Sequence, residues 1–201
     1  MRRVPVLPTI VVALAVAAMI GLGLWQLLVR RPAKEAYLAQ LAANPAKPPV
    51  AFPLLPDDRL LFRRSSVMCL ELVSTRIAGA GAAGYRVVAE CRTGAEGPGA
   101  AVQLGTTHDA MAKVSWLGGE VTGYLSHAPD PRPWLASLWD HAPKRLMLVA
   151  DAPPPGLARN TPPDVSAVPN NHLAYAGQWF FFAAVASVIY VLALRHRSRS
   201  V

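Results

Sequence analysis

From Leu173 to Leu194 the chain carries no charged side chain, and Arg195, Arg197 and Arg199 follow at once. At about 1.5 Å per helical residue, such a stretch crosses the roughly 30 Å of a bilayer's hydrocarbon core. A second uncharged run, Val4 to Val29, is enclosed by Arg2 and Arg3 before it and by Arg30 and Arg31 after it. Two such runs, with a segment of ordinary domain size between them, restrict the chain to a membrane protein with one folded domain. A cleaved signal peptide is the competing reading of the first run. Its apolar stretch exceeds a signal core, however, and no small-x-small site precedes its charged end. Pro5 and Pro8 suit a first helical turn and nothing deeper, so the first span is expected from Thr9 to Val29. Pro169, Asn170 and Asn171 suit a helix start, which sets the second span at residues 172–194.

Charge fixes the expected orientation. The segment between the spans holds all twelve acidic residues and fifteen of the twenty basic ones, while the remaining five arginines of the +8 net charge sit in the two tails. By the positive-inside rule, tails 1–8 and 195–201 are cytoplasmic and the domain 30–171 is extracytoplasmic. Without an Arg- and Ser-rich transit sequence, the expected location is the inner membrane of a bacterium, as a multi-pass protein with a periplasmic domain. The basic excess is dispersed, which argues against a nucleic-acid partner and leaves the lipid bilayer as the first one.

The domain reads as α+β. Ala33 to Ala43 suits a short helix with Tyr37, Leu38 and Leu41 on one side, and the proline-rich Pro45 to Pro56 is a connector unfit for a central strand. Strands are expected at Val67–Val73 (Met68, Leu70 and Leu72 on one face), Tyr85–Arg92 (Tyr85, Val87, Ala89 and Cys91 on one face), Ala100–Leu104, Ala112–Trp116, Glu120–Leu125 and Arg145–Ala150. Short strands between glycine turns predict a small antiparallel sheet or partly closed barrel, with Trp134–Trp139 as a helical insert. Cys69 and Cys91 lie symmetrically about residue 80, so a hairpin turning at Gly79–Gly81 would oppose them. A disulfide and two free buried thiols both fit.

His172, Tyr175 and Trp179 recur at i, i+3 and i+7, giving one helix face an imidazole, a phenol and an indole. Interfacial anchoring explains the tyrosine and tryptophan without any ligand. The ordered string Asn171, His172, Leu173, Tyr175, Ala176, Trp179, Phe180 nevertheless resembles the second-span signature of the surfeit locus protein one family. Gly23, Trp25, Gln26, Arg30 and Lys34 resemble its first-span signature, with the basic residues one position later than usual, a displacement of about 100° on a regular helix. Weaker similarity lies in Gly84-Tyr85-Arg86-Val87-Val88 and in Gly118 to Gly123. The family's central loop, commonly Val-Asn-Arg-Gly-Trp, reads Val102-Gln103-Leu104-Gly105-Thr106 here and keeps only the glycine of the last three.

The resemblance implies a non-enzymatic assembly factor for cytochrome c oxidase that handles haem a, with an oxidase subunit or the haem a synthesis machinery as partner. It places His172 as a ligand of the haem iron, Tyr175, Trp179 and Trp25 along the pocket, and Arg30 or Arg31 near the propionates. The alternative is a scaffold that binds oxidase subunits and never touches haem. Small residues at Ala13, Ala17 and Gly21 are expected to face a neighbouring helix, the second span first of all, and Gln26 and Gln178 to supply polar contacts between helices. No nucleophile-base, zinc-helix, phosphate-loop or covalent-haem motif appears. His108-Asp109 and Asp140-His141 read as solvated loop positions, and His127 as isolated.

Overall fold

A computed structural model describes residues 5–95, 99–130, 132–133, 135, 139–140 and 142–199. The chain forms two compact units, one made of residues 1–39 and 166–201 and the other of Gln40–Val165. Among the described residues two helices are long and apolar enough to cross a membrane, which fits two passes rather than a larger multi-pass arrangement.

In the first unit, α1 (Val6–Trp25) runs without a break through a π-helical turn, Gln26–Arg30, into α2 (Arg31–Ala43). The expected short helix is thus the continuation of the first span. The antiparallel α3 covers His172–Arg199. The two long helices pack through Thr9, Val12, Val16, Met19, Gly23 and Gln26 on α1 and its continuation, spaced alternately by three and four residues, the period of a left-handed pair. On α3 the buried positions are Ala176 and Ala183, with Tyr190 meeting Thr9 hydroxyl to hydroxyl at the other end. Ala13, Ala17 and Gly21 are exposed on another face. Their small size is not what seats α3; Gly23 does that, directly against the Phe180 ring.

The second unit is one seven-stranded sheet. Its strands are β1 (Val50–Ala51), β2 (Arg64–Cys69), β3 (Glu71–Gly79), β4 (Tyr85–Arg92), β5 (Ala100–Thr107), β6 (Gly119–His127) and β7 (Leu146–Ala150), in the order β1-β2-β6-β7-β5-β4-β3. It is mixed, not purely antiparallel, because β1 runs parallel to β2 and β5 parallel to β7. Between the parallel β5 and β7 the chain passes through β6, and residues 108–118 carry it from β5 past β7 to β6. Ala112–Trp116 therefore forms no strand: its alternation is real, but Val114 and Trp116 cover the core as irregular chain with no ladder neighbour. The predicted insert Trp134–Trp139 falls largely outside the described residues.

Val67–Val73 was expected as one strand and is the junction of two. Leu70 alone separates β2, second in the sheet, from β3, seventh. Laid flat, those strands would stand roughly 24 Å apart at about 4.8 Å per neighbour, while one intervening residue reaches only about 7 Å. The sheet must therefore curl until its two sides meet. Curling buries Val67 and Cys69 and turns Met68 (48% exposed) and Leu70 (63%) outward, the reverse of the expected face. Val87, Ala89 and Cys91 of β4 point into the same core, while Tyr85 at the strand's start is exposed and Val88 joins a smaller cluster on the other face with Met147 and Val149.

Cys69 and Cys91 are bonded, with Cα atoms 5.2 Å apart. They are not a hairpin pair. The β3–β4 turn is centred two residues later than expected, with Gly79 opposite Tyr85, so Cys91 faces Leu72 in the ladder. The sulfurs meet because both project into the curled interior from strands on opposite sides of the seam. Gly84 closes that turn at φ 79°, where a Cβ would also lie 2.6 Å from the Thr107 carbonyl oxygen, which explains a glycine ahead of β4.

Two polar arrangements close the domain. Asn44, fully buried, donates from Nδ2 to the carbonyls of Arg59 (2.8 Å) and Leu61 (2.7 Å) and accepts from Lys47 Nζ (2.9 Å). The strand expected at Ala100–Leu104 forms and runs on as β5 to Thr107, so Val102–Thr106, the counterpart of the family's central loop, lies inside it; there Gln103 donates to Asn160 Oδ1 at 2.7 Å and Asn160 returns a bond to the Gln103 carbonyl at 3.2 Å.

Candidate functional site at the paired membrane helices

The site begins with the first residue of α3. Asn171 stands at the N-cap position, its carbonyl accepting from the Tyr175 N–H at 3.0 Å, so His172 enters the first turn, where amides lack intrahelical partners. Its ring is half-buried, and Nδ1 lies 2.8 Å from Gln26 Oε1 of the neighbouring helix. Of the two amides expected between helices, Gln26 makes this contact and Gln178 is exposed.

Gln26 opens the π turn, and its carbonyl accepts from the Arg31 N–H, an i→i+5 bond. Such a turn holds one residue more than an α turn. On a regular helix Trp25 and Arg30, five apart, would point about 140° away from each other. Here the guanidinium carbon of Arg30 lies 5.5 Å from the centre of the Trp25 ring. The π turn thus absorbs the extra residue noted in the sequence and returns the basic side chain to the tryptophan's face, a cation–π arrangement. Farther along, Lys34 sits 5.2 Å from the Tyr37 ring and Arg31 pairs with Glu35 at 2.7 Å.

Tyr175 and Trp179 lie on α3 beside the stripe that packs on α1. Tyr175 is 49% exposed, and Trp179 is partly covered, meeting Phe182 edge to face at 6.4 Å. Phe180 on Gly23 sets Trp25 and Trp179 at about the same level of the pair. The structure therefore joins His172 to Gln26 and Arg30 to Trp25, and leaves Tyr175 and the partly covered Trp179 beside the packed stripe of α3. Gln26, expected to make a polar contact between helices, makes it to His172, a partner that sequence reasoning did not name.

A planar amphiphile with a central metal and two carboxylates needs a neutral nitrogen with an open side, flat aromatic walls and nearby cations. The donor set here fits such a group. A carbonyl oxygen only accepts, so the tautomer that satisfies this contact carries its proton on Nδ1 and its lone pair on Nε2, a form in which neutral imidazole serves as a ligand. No group of three or more metal-ligating side chains occurs among the described residues. A single axial nitrogen is what a macrocycle with its own four donors requires.

The β domain holds a cleft of about 340 Å³ lined by Arg76, Glu90, Asp130, Arg132, Asp140, Lys144 and Arg145 among others. Its charges are spent on one another: Arg132 bridges Asp130 and Asp140, and Glu90 lies between Arg76 and Arg145. The Arg132 guanidinium, through its hydrogen bonds, holds the Asp130 carboxyl down at about 2. No serine, cysteine or histidine is among the described residues that line the cleft. His127, expected to be isolated, pairs with Asp58 at 2.8 Å, and Asp109 takes the Met111 N–H in its own loop.

The SURF1 family model matches residues 13–184, covering the whole sheet, most of α1 and the first half of α3. No curated protein and no solved structure gives a significant match.

Proposed function

The chain belongs to the SURF1 family, an assembly-factor family associated with cytochrome c oxidase, and from that premise we propose that it holds haem a for oxidase assembly, with His172 as the iron ligand. The observation that carries this reading is the engaged Nδ1 of His172, which leaves Nε2 as the ring's donor atom. Haem a, when bound, would supply an iron centre that accepts a nitrogen donor. The chain's own residues do the rest. His172 offers that nitrogen at the start of α3. Tyr175 and Trp179 present apolar surface along the lipid-facing edge, where an isoprenoid tail stays in lipid. Arg30, over Trp25, and Arg31 place positive charge near the same level for the propionates. The chain holds and passes this cargo without itself making or breaking bonds, to an oxidase subunit or from the haem a synthesis machinery.

The location that suits this work is a bacterial inner membrane, both tails cytoplasmic and the sheet domain periplasmic. The terminal arginines support it, and so does the Cys69–Cys91 bond, which belongs to an oxidising compartment. A reporter active only outside the cytoplasm, silent after Val201 and active in the domain, is the expected result.

A second reading, a haem-free scaffold for oxidase subunits, is favoured by one observation: the exposed face carrying Ala13, Ala17 and Gly21, whose small side chains admit another helix closely. The two readings part at His172→Ala. That change keeps an uncharged, helix-compatible residue, so membrane levels hold while haem per protein falls, with Trp179→Phe giving a smaller loss. Equal haem in wild type and His172→Ala at matched protein levels sinks the ligand assignment and leaves the scaffold.

A further inference from the structure

We propose that Gln26 is the positioning residue for His172: its side-chain carbonyl fixes the proton on Nδ1 and so makes Nε2 the ring's only available electron-pair donor. This rests on the haem-holding reading above and names what prepares its ligand. Oε1 stands 2.8 Å from Nδ1, and no described residue hydrogen-bonds Nε2. The partner lies 146 positions away on the other helix, so helix pairing, not local structure of α3, orients the ring. Gln26 is itself held in place as the opening residue of the π turn, whose i→i+5 bond to Arg31 also returns Arg30 to Trp25. One backbone device thus places the group that orients the nitrogen and the cation beside it. A histidine that donates its second N–H to a carbonyl becomes a stronger metal donor, and loss of that partner lowers metal affinity about ten- to a hundred-fold.

The first arm of the test uses the full chain in detergent or nanodiscs without haem. Nitrogen NMR of ¹⁵N-histidine, at a pH where the ring is neutral, is expected to show His172 protonated at Nδ1 in wild type and a mixture of tautomers in Gln26→Leu. A proton on Nε2 in wild type, or an unchanged Nδ1–H form in Gln26→Leu, overturns the proposal. The second arm titrates haem a into the same preparations. Gln26→Leu is expected to bind about ten- to a hundred-fold more weakly and to raise the reduction potential of the haem that remains. Gln26→Glu keeps and strengthens the acceptor, so it retains affinity and lowers the potential. An amide that merely tied the helices together would weaken both variants alike and split neither potential, and that outcome also overturns the assignment. If His172→Ala binds haem as wild type does, the haem-ligand reading falls, while the tautomer measurement still decides whether Gln26 orients the ring.

Discussion

Phe180 lays its ring where a side chain at position 23 would stand: a Cβ built on Gly23 would lie 2.7 Å from Cε1 and 2.8 Å from Cζ. Overpacking of this kind costs about 1–3 kcal/mol. Gly23→Leu is expected to open the helix pair, and Phe180→Ala in the same chain to restore most of it. Cross-linking of cysteines placed at Thr9 and Tyr190, at the far end of the pair, reads the result.

The π turn makes a sharper claim about deletions. Val29 is 53% exposed within Gln26–Arg30. Removing it leaves an ordinary α turn, sets the arginine four residues after Trp25 and leaves the flanking helices in register. Deleting Val16 instead rotates the preceding part of α1 by about 100° and separates Thr9 from Tyr190. Membrane levels and pair cross-linking are expected to survive the first deletion and fail in the second.

The Cys69–Cys91 bond closes a separation of 22 residues. Replacing both cysteines by alanine is expected to lower domain stability by about 3 kcal/mol, read as an earlier denaturation midpoint. Neither thiol of the oxidised, unfolded wild type is expected to react with an alkylating reagent, and labelling of both would exclude the bond.

Asn44→Ala removes the donor shared by the Arg59 and Leu61 carbonyls in a fully buried place. A buried carbonyl left unpaired costs about 1–3 kcal/mol. Asn44→Asp also loses both donations and is expected to rescue nothing, although it keeps an acceptor for Lys47. Urea midpoints of the three proteins provide the comparison.

Burial, reinforced by the Asp151 carboxylate, pushes the Tyr124 phenol up to about 12 from its ordinary 10. Its hydroxyl donates to the Thr161 carbonyl. With the folded value above the unfolded one, the contribution to stability is complete below about pH 10 and is lost as pH rises through about 12. A phenolate absorbance titration is expected to show one late tyrosine that disappears in Tyr124→Phe.

Both spans and β4 were legible because their signals are local: an uncharged run, and an alternation over Tyr85–Arg92 that coincides with the observed strand. The β2–β3 corner was not. Its marker is a single residue, Leu70, and β3 lies at the sheet's edge with most side chains partly or wholly exposed, so its alternation is weak. The sequence left the cysteines open between a disulfide and two free thiols, and its case for pairing rested on a symmetry the turn does not have; curling of the sheet supplied the proximity instead. At the site, His172 and its aromatic neighbours stand out in sequence by helical spacing. The tie to Gln26 does not, since it spans two helices, and the Trp25–Arg30 contact needs a turn that regular helical periodicity excludes.

Helix pairing also acts on the sheet domain through chain connectivity alone. Gln40–Val165 is held at both ends by the helices that pack together, so while α1 and α3 stay associated it can unfold only as a closed loop of about 125 residues. Closure of a loop that long removes on the order of 4 kcal/mol of the freedom an untethered chain would gain. A change at the helix contact therefore reaches the domain as lost loop closure, and the domain cut free of its spans is less stable than its own contacts suggest.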